Sequence, residues 1–509
     1  MPEKSTIMDI LAAGGSEAVA LAAPGRKALT YGELRDQANR TVTTLNHLGI
    51  GRNDRVAIIL PNGPEMAASF MAIATGATTA PLNPAYRREE FDFYLSDLAA
   101  KALVVEQGST SPAVEAAEAL HMVVLEIGVK EEDPAGKFEI VAPSTIELRD
   151  PASGGTADAD DIALVLHTSG TTSKPKIVPL TQRNICASAA HIRTSLALTP
   201  MDRCMNVMPL FHIHGLMAAV LASISVGAEI FCTPGFNAFK FFAWLEEATP
   251  TWYTAVPTMH QAVLARAGRN RSIIERTPLR FIRSSSSSLP PQVMADLEKT
   301  FDTPVIEAYA MTEAAHQMTS NTLPPGVRKP GTVGVAAGPE VAVMNQQGVL
   351  LAAGTVGEVV IQGPNVTPGY ENNPQANAEN FTNGWFRTGD QGVMDEEGFL
   401  TITGRLKEII NRGGEKISPR EVDDVLMDYE AIQQVVTFAM PHDKLGEDVA
   451  AAVVLRDGTT ASERDIRMFA ATRLADFKVP RKILFLDEIP KGATGKIQRI
   501  GLAKKLGIS

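Results

Sequence analysis

The sequence predicts an α/β protein with a large N-terminal part, a β-rich stretch after it and a small C-terminal part. Three observations carry this. Strand and helix signals alternate through the first 160 residues, and the texture turns rich in Val, Gly, Asn and Pro near residue 350. Beyond Arg405 the chain shows helix and strand signals of its own. At 509 residues it also exceeds what one hydrophobic core serves, so two or three domains are expected.

Tyr31-Gly32-Glu33-Leu34 opens a helix running to about Leu48, with apolar residues at helical spacing. Residues 55–60, Arg-Val-Ala-Ile-Ile-Leu, read as a buried strand closed by Pro61-Asn62-Gly63. A helix over 67–74 precedes a strand at 79–82, and 102–105 and 122–125 are further short strands. Strands separated by helices predict a parallel sheet with helices on its faces. The most apolar long stretch, 216–230, is broken by Ser223, Ser225, Gly227 and Glu229. A buried helix followed by a strand fits it better than a membrane span. Residues 341–369 suit β-structure with tight turns, and 419–427, 435–439, 449–455 and 463–474 supply the elements of the final part.

Hydrophobic residues make up 45% and charged residues 21%, the balance of a soluble globular protein. The formal net charge of −11 argues against nucleic acid or an anionic membrane as a partner. It leaves nucleotide ligands open, since those need only local cations and backbone N–H groups. Cys186, Cys204 and Cys232 are the only cysteines and form no C-x-x-C pair, so reduced thiols are expected. Met1-Pro2-Glu3-Lys4 lacks a signal-peptide pattern and Gly507-Ile508-Ser509 is not a peroxisomal address. A cytoplasmic protein is the expectation.

The strongest local signal is Thr168-Ser169-Gly170-Thr171-Thr172-Ser173-Lys174-Pro175-Lys176, which follows a buried strand signal at 162–166. Small and hydroxyl residues let backbone N–H groups approach phosphate oxygens, and lysines offset their charge. It is not the G-x-x-x-x-G-K-[ST] loop, so an ordinary P-loop NTPase is not indicated. Such a loop alone is commonly a turn; the two lysines at its end are what a turn does not require.

This segment resembles the phosphate loop of the adenylate-forming superfamily, which holds acyl-CoA synthetases, peptide-synthetase adenylation domains and luciferase-like enzymes. The other motifs of that superfamily follow in order. Tyr309-Ala310-Met311-Thr312-Glu313 resembles its aromatic-x-x-Thr-Glu motif. The resemblance implies Glu307, Ala308 and Tyr309 along the adenine, Thr312 near the α-phosphate and Glu313 on Mg²⁺, an ion that favours a carboxylate plus phosphate oxygens. Trp385-Phe386-Arg387-Thr388-Gly389-Asp390 and Gly404-Arg405-Leu406-Lys407 resemble the motifs whose Asp390 and Arg405 would hold the ribose. Lys407 matches the hinge about which a small mobile C-terminal domain turns between half-reactions. Gly413-Gly414-Glu415 matches a turn that admits the pantetheine arm of coenzyme A. Pro490-Lys491-Gly492-Ala493-Thr494-Gly495-Lys496 resembles the C-terminal motif whose Lys496 reaches the reacting atoms. The implied organisation is an AMP-binding domain over 1–404, a hinge over 405–407 and a mobile domain over 408–509. ATP, Mg²⁺ and coenzyme A are the implied cofactor and co-substrates, with ATP contacts from Thr168, Ser169, Gly170, Thr171, Thr172 and Lys176 as well.

A narrower resemblance follows. Residues 281–289, 307–321 and 410–419 are similar to the oxalate–CoA ligases of plants and fungi, as are Ser173 and Ala310. This implies a pocket of donors for a small dianion, with His212, Ser286 and His316 as its residues. Ile177, Asn411 and the serine run 284–288 depart from relatives without removing an adenylation motif. A ligase for malonate or another short acid, an adenylation module serving a carrier protein, and an inactive nucleotide-binding regulator are the alternatives. No carrier-like segment follows Lys496, and Lys496, Glu313 and Asp390 are all retained.

Lys496→Ala is expected to abolish acyl-adenylate formation while largely sparing thioester formation from supplied acyl-adenylate. Equal loss in the two half-reactions would contradict the role.

Overall fold

The computed structural model describes residues 4–144, 149–168, 175–490 and 498–508, and four sheets organise them. The first has nine strands, six of them parallel in the spatial order Val305–Met311, Phe281–Ser284, Trp252–Ala255, Arg203–Asn206, Glu229–Cys232 and Val19–Ala22. Antiparallel strands His316–Ser320 and Val335–Ala336 extend one edge, and Leu29–Thr30 the other. The second sheet has seven strands, with Val123–Gly128, Ala102–Glu106, Arg55–Ile59, Thr78–Pro81 and Ile162–Thr168 parallel at its centre. The expected parallel α/β architecture is therefore present twice.

Parallel strands are buried on both faces, which is why their sequences are near-continuous apolar runs rather than alternating ones. Arg55–Ile59 shows this, with Val56 to Ile59 all buried. Between the two sheets lie helices that are apolar all round. In Pro64–Ala74 every residue but Glu65 is buried. The apolar stretch read from the sequence folds as a π-helix, His214–Leu221, a short helix, Ala222–Ile224, and a strand, Glu229–Cys232. One hydrophobic core joins Met66 to Ala74, Leu216 to Ala222, Val56, Ile58 and Trp252 across both sheets. A hydroxyl cap starts the helix Tyr31–His47: Thr30 accepts from the Glu33 backbone, and the Glu33 carboxylate accepts the Thr30 N–H at 2.8 Å.

The third sheet is antiparallel and contains Glu340–Met344, Gly357–Gln362, Trp385–Met394 and Leu400–Arg405. The fourth holds Ile410–Arg412, Glu415–Ile417, Ile432–His442 and Gly446–Leu455, with Lys482–Phe485 added in parallel. The helix Pro419–Met427, capped by Ser418, packs on it. Ser418 also donates its hydroxyl to the Thr403 carbonyl, and Arg499 pairs with Asp423 and Glu408. Among the described residues no helix is long and apolar enough to cross a membrane. Cys186, Cys204 and Cys232 are free and buried.

The first and third sheets meet at Gly334. Its carbonyl accepts from Leu400 and the neighbouring Val333 N–H donates to the Leu400 carbonyl, both at 2.8 Å. Gly334 has φ +84°, and a Cβ there would lie 2.0 Å from the Ser320 carbonyl carbon. Both conformation and space demand glycine. Gly334→Ala is expected to destabilise the protein by about 3 kcal/mol; an unchanged thermal unfolding curve would contradict this joint.

Candidate active site

Ligands in open parallel sheets bind beyond the carboxyl ends of the strands. At that end of the first sheet the chain leaves Val305–Met311, makes a single tight turn through Thr312–Ala314 and returns antiparallel as His316–Ser320. Tyr309 pairs with Thr319 and Met311 with His316. Glu313 and His316 thus project from one turn. Ala315 and His316 close it with φ of +46° and +101°. A positive φ on histidine is strained and persists only where the surroundings hold it.

Glu313 is 6% exposed and accepts the Tyr370 hydroxyl at 2.7 Å. Burial pushes its carboxyl above the usual range; Tyr370 and the charges of Arg405 and Lys176 oppose that shift. Lys176 Nζ lies 4.3 Å from the Tyr370 ring centre. Burial and the nearby charge of Lys407 hold this amine below its usual range. Thr168 and Lys176 face each other across an antiparallel pair, at the two ends of the loop read as phosphate-binding. Ser169, Gly170, Thr171 and Thr172 lie outside the described residues, as does Lys496.

Beside this turn, Asp390 accepts the Tyr309 hydroxyl on one carboxylate oxygen and Arg405 Nε on the other, the latter at 3.0 Å. Glu307 is 1% exposed. One of its oxygens accepts the Leu289 N–H at 2.9 Å and the other has no hydrogen bond among the described residues. Burial pushes its carboxyl up to about 7. The Ala308 carbonyl accepts from the Ser285 hydroxyl at 2.8 Å. Thr312 opens the turn itself.

A second cluster lies next to the first. The imidazoles of His214 and His316, both buried, stack with centres 4.9 Å apart. His214 Nδ1 is 3.0 Å from the Ser286 hydroxyl and Nε2 is 2.6 Å from that of Thr254. Ser286 has φ +72°, so a third non-glycine residue here, after Ala315 and His316, has a positive φ. His212, read from the sequence for this pocket, accepts the backbone N–H of His214 on Nδ1 at 3.3 Å. His214, two residues on in the same Phe211-His212-Ile213-His214-Gly215 segment, reaches Ser286 and His316. Tyr370, Thr254 and Gln317 were not legible as site residues either. Only His214 had a signal, since it shares that motif. Gly413, Gly414 and Glu415 stand apart, exposed on the hairpin between Ile410–Arg412 and Glu415–Ile417, with φ +60° and +103° at the two glycines. Lys407 is exposed in the turn after Arg405.

Residues 10–371 match the family described as AMP-binding enzyme, and 421–496 match its C-terminal domain. The chain is 45% identical to the oxalate–CoA ligase of Arabidopsis thaliana over 94% of each chain. It is 43% identical to the oxalate–CoA ligase of Saccharomyces cerevisiae, covering 89% of this chain and 87% of that one. The crystal structure of ATP-bound MatB from Rhodopseudomonas palustris superposes with a TM-score of 0.88 at 26% identity over 99% of both chains.

Glu307 yields a pH test. Its ordinary value is 4.5 and its folded value about 7. Between these the folded protein keeps a proton that the unfolded chain has lost, so stability falls as pH rises through the window. Glu307→Gln keeps an acceptor for Leu289 without the charge. It should be more stable than the parent by about 2–3 kcal/mol at about pH 8, the gain fading near pH 4.5. Denaturant titrations at both pH values check this, and a pH-independent difference would refute it.

Proposed function

We infer the function from family membership and geometry together: the chain belongs to the AMP-binding enzyme family, and it is an acid–CoA ligase. It uses ATP to activate a carboxylic acid as an acyl-adenylate and passes the acyl group to coenzyme A. The acid we propose is oxalate. The observation that carries this is the buried polar cluster of His214, His316 and Ser286 beside the Glu313 turn. An alkyl chain would set apolar surface against these buried polar groups, whereas a second carboxylate presents oxygens to which N–H and O–H groups can donate. The names of the two relatives above agree with it.

In this proposal Glu307, Ala308 and Tyr309 line the adenine, and Asp390 with Arg405 receives the ribose hydroxyls. Thr168, Lys176 and the Ser169–Thr172 loop cradle the phosphates. Lys176 and Lys407 repel each other, and a polyphosphate between them would relieve that repulsion. Thr312 meets the α-phosphate. Glu313 fits Mg²⁺: it is one buried carboxylate, and the described residues contain no dedicated cluster of three or more His, Cys, Asp or Glu side chains. That suits an ion shared with phosphate oxygens rather than a protein cage. When bound, the ion would offset negative charge as carboxylate and α-phosphate approach. Lys496 would add a second counter-charge; each well-placed group of this kind contributes about 3–4 kcal/mol.

We place the domain boundary at 405–407, with 1–404 before it and 408–509 after. Rotation about Lys407 would withdraw Lys496 and bring the Gly413-Gly414-Glu415 hairpin toward the pantetheine thiol. A cytoplasmic setting completes the proposal, in keeping with three free buried thiols.

Pyrophosphate release with ATP, Mg²⁺ and coenzyme A, compared across oxalate, malonate, acetate, benzoate and octanoate, tests the substrate. Preference for another acid keeps the ligase and discards oxalate. His316→Ala should lower kcat/KM for oxalate by about 100-fold and that for acetate far less. An unchanged ratio would remove His316 from the pocket.

A further inference from the structure

Arg283 sits in the middle of the strand Phe281–Ser284 and is wholly buried. Among the described residues no carboxylate forms an ion pair with it. Nη2 donates to Gln317 Oε1 at 3.3 Å, Nη1 lies 3.5 Å from His214 Nε2, and Nε has no hydrogen-bond partner among the described residues. Burial draws the guanidinium down only to about 9, so it remains a cation at neutral pH. Burying a cation without a counter-ion costs several kcal/mol. Buried groups whose charge is strongly perturbed concentrate at functional sites.

The guanidinium beside His214 Nε2 opposes a proton on that nitrogen, leaving its single lone pair to accept the hydroxyl of Thr254, in register with Arg283 on the neighbouring strand, at 2.6 Å. This favours the tautomer with its proton on Nδ1, donated to the Ser286 oxygen at 3.0 Å. In that tautomer Ser286 accepts, and its own O–H turns away from His214. Gln317 is held with its oxygen toward Arg283, because its amide nitrogen donates to Ser195 Oγ at 2.9 Å and the Ala337 carbonyl at 3.2 Å.

We propose that Arg283 is a positioning residue of the acid pocket: through His214 it sets Ser286 as a hydrogen-bond donor, and its uncompensated charge selects an acid bearing a second carboxylate. This rests on the oxalate reading. The test compares oxalate with oxamate, which has the same shape but a neutral amide in place of one carboxylate, in ATP-dependent pyrophosphate release. Arg283→Met is expected to lower kcat/KM for oxalate by about 100-fold and that for oxamate by less than about threefold, with KM for ATP unchanged. Arg283→Lys keeps the charge without the two-armed contact. It should raise KM for oxalate by about tenfold while restoring most of the preference for oxalate over oxamate. If Arg283→Met does not fold, the lysine variant decides alone: a KM for oxalate left at the parental value overturns the proposal. A parent enzyme inactive on oxalate overturns the substrate reading and this proposal together. A parent active on oxalate, with either folded variant keeping the parental oxalate-to-oxamate ratio and KM, overturns only the role of Arg283.

Discussion

The buried carboxylate of Glu313 is the constraint around which the site is arranged. A charged group at 6% exposure needs partners, and three parts of the chain converge to provide them. Tyr370 gives a hydroxyl, and Lys176 Nζ lies over that ring, 4.3 Å from its centre, as a nearby cation. The peptide carbonyl of Glu313 accepts the Thr367 N–H at 2.7 Å, and Asn365 donates to the carbonyl of Ala314 at 2.7 Å. The segment from Asn365 to Tyr370 is thereby pinned to the turn after Val305–Met311. The strand beginning at Lys176 is fixed too, because Thr367 donates to the Pro179 carbonyl and Glu371 to that of Ile177. The Glu313 turn thus ties the first sheet to the strand beginning at Lys176 in the second and to the segment that follows Gly357–Gln362 of the third.

Much of this was legible in the sequence wherever a local pattern decides the structure. The helix Pro419–Met427 carries its own cap and proline start, and it forms over the span read for it. The strands Arg55–Ile59 and Ala102–Glu106 are buried on both faces, so an apolar run announces them. What escaped depends on distant pairing. Nothing in His-Gln-Met-Thr-Ser says that it folds back on Val305–Met311, since its residues are all buried and include polar ones. Arg283 stands between Ile282 and a run of serines with no local sign of burial, and only the parallel strands on either side place it inside. The place of His214 escaped as well: it opens a π-helix and bonds Ser286, and periodicity in the sequence does not reveal such a helix.

Local departures from ideal backbone gather at the same place. Ser286 and His316, both with positive φ, come from neighbouring regions of one sheet edge and meet through His214. Strain of about 1–3 kcal/mol at each such residue is tolerated because the surrounding core is large and continuous, joining two sheets through helices with no solvent face. The site is therefore irregular in detail and rigid in support.

The side chains around the acid pocket, His214, Thr254, Arg283, Ser286, His316 and Gln317, all come from one sheet and the helix that follows one of its strands. Asp390 and Arg405 come from the antiparallel sheet after it, and the Gly413-Gly414 hairpin from the sheet after that. On the proposed reading, the acid residues and the nucleotide strand Val305–Met311 with its Glu313 turn interleave between 214 and 317, and only Asp390 and Arg405 stand in a separate stretch. Inheritance can therefore retune single positions such as 214, 286 or 316, whereas exchanging the whole wall would carry off part of the apparatus that spends ATP.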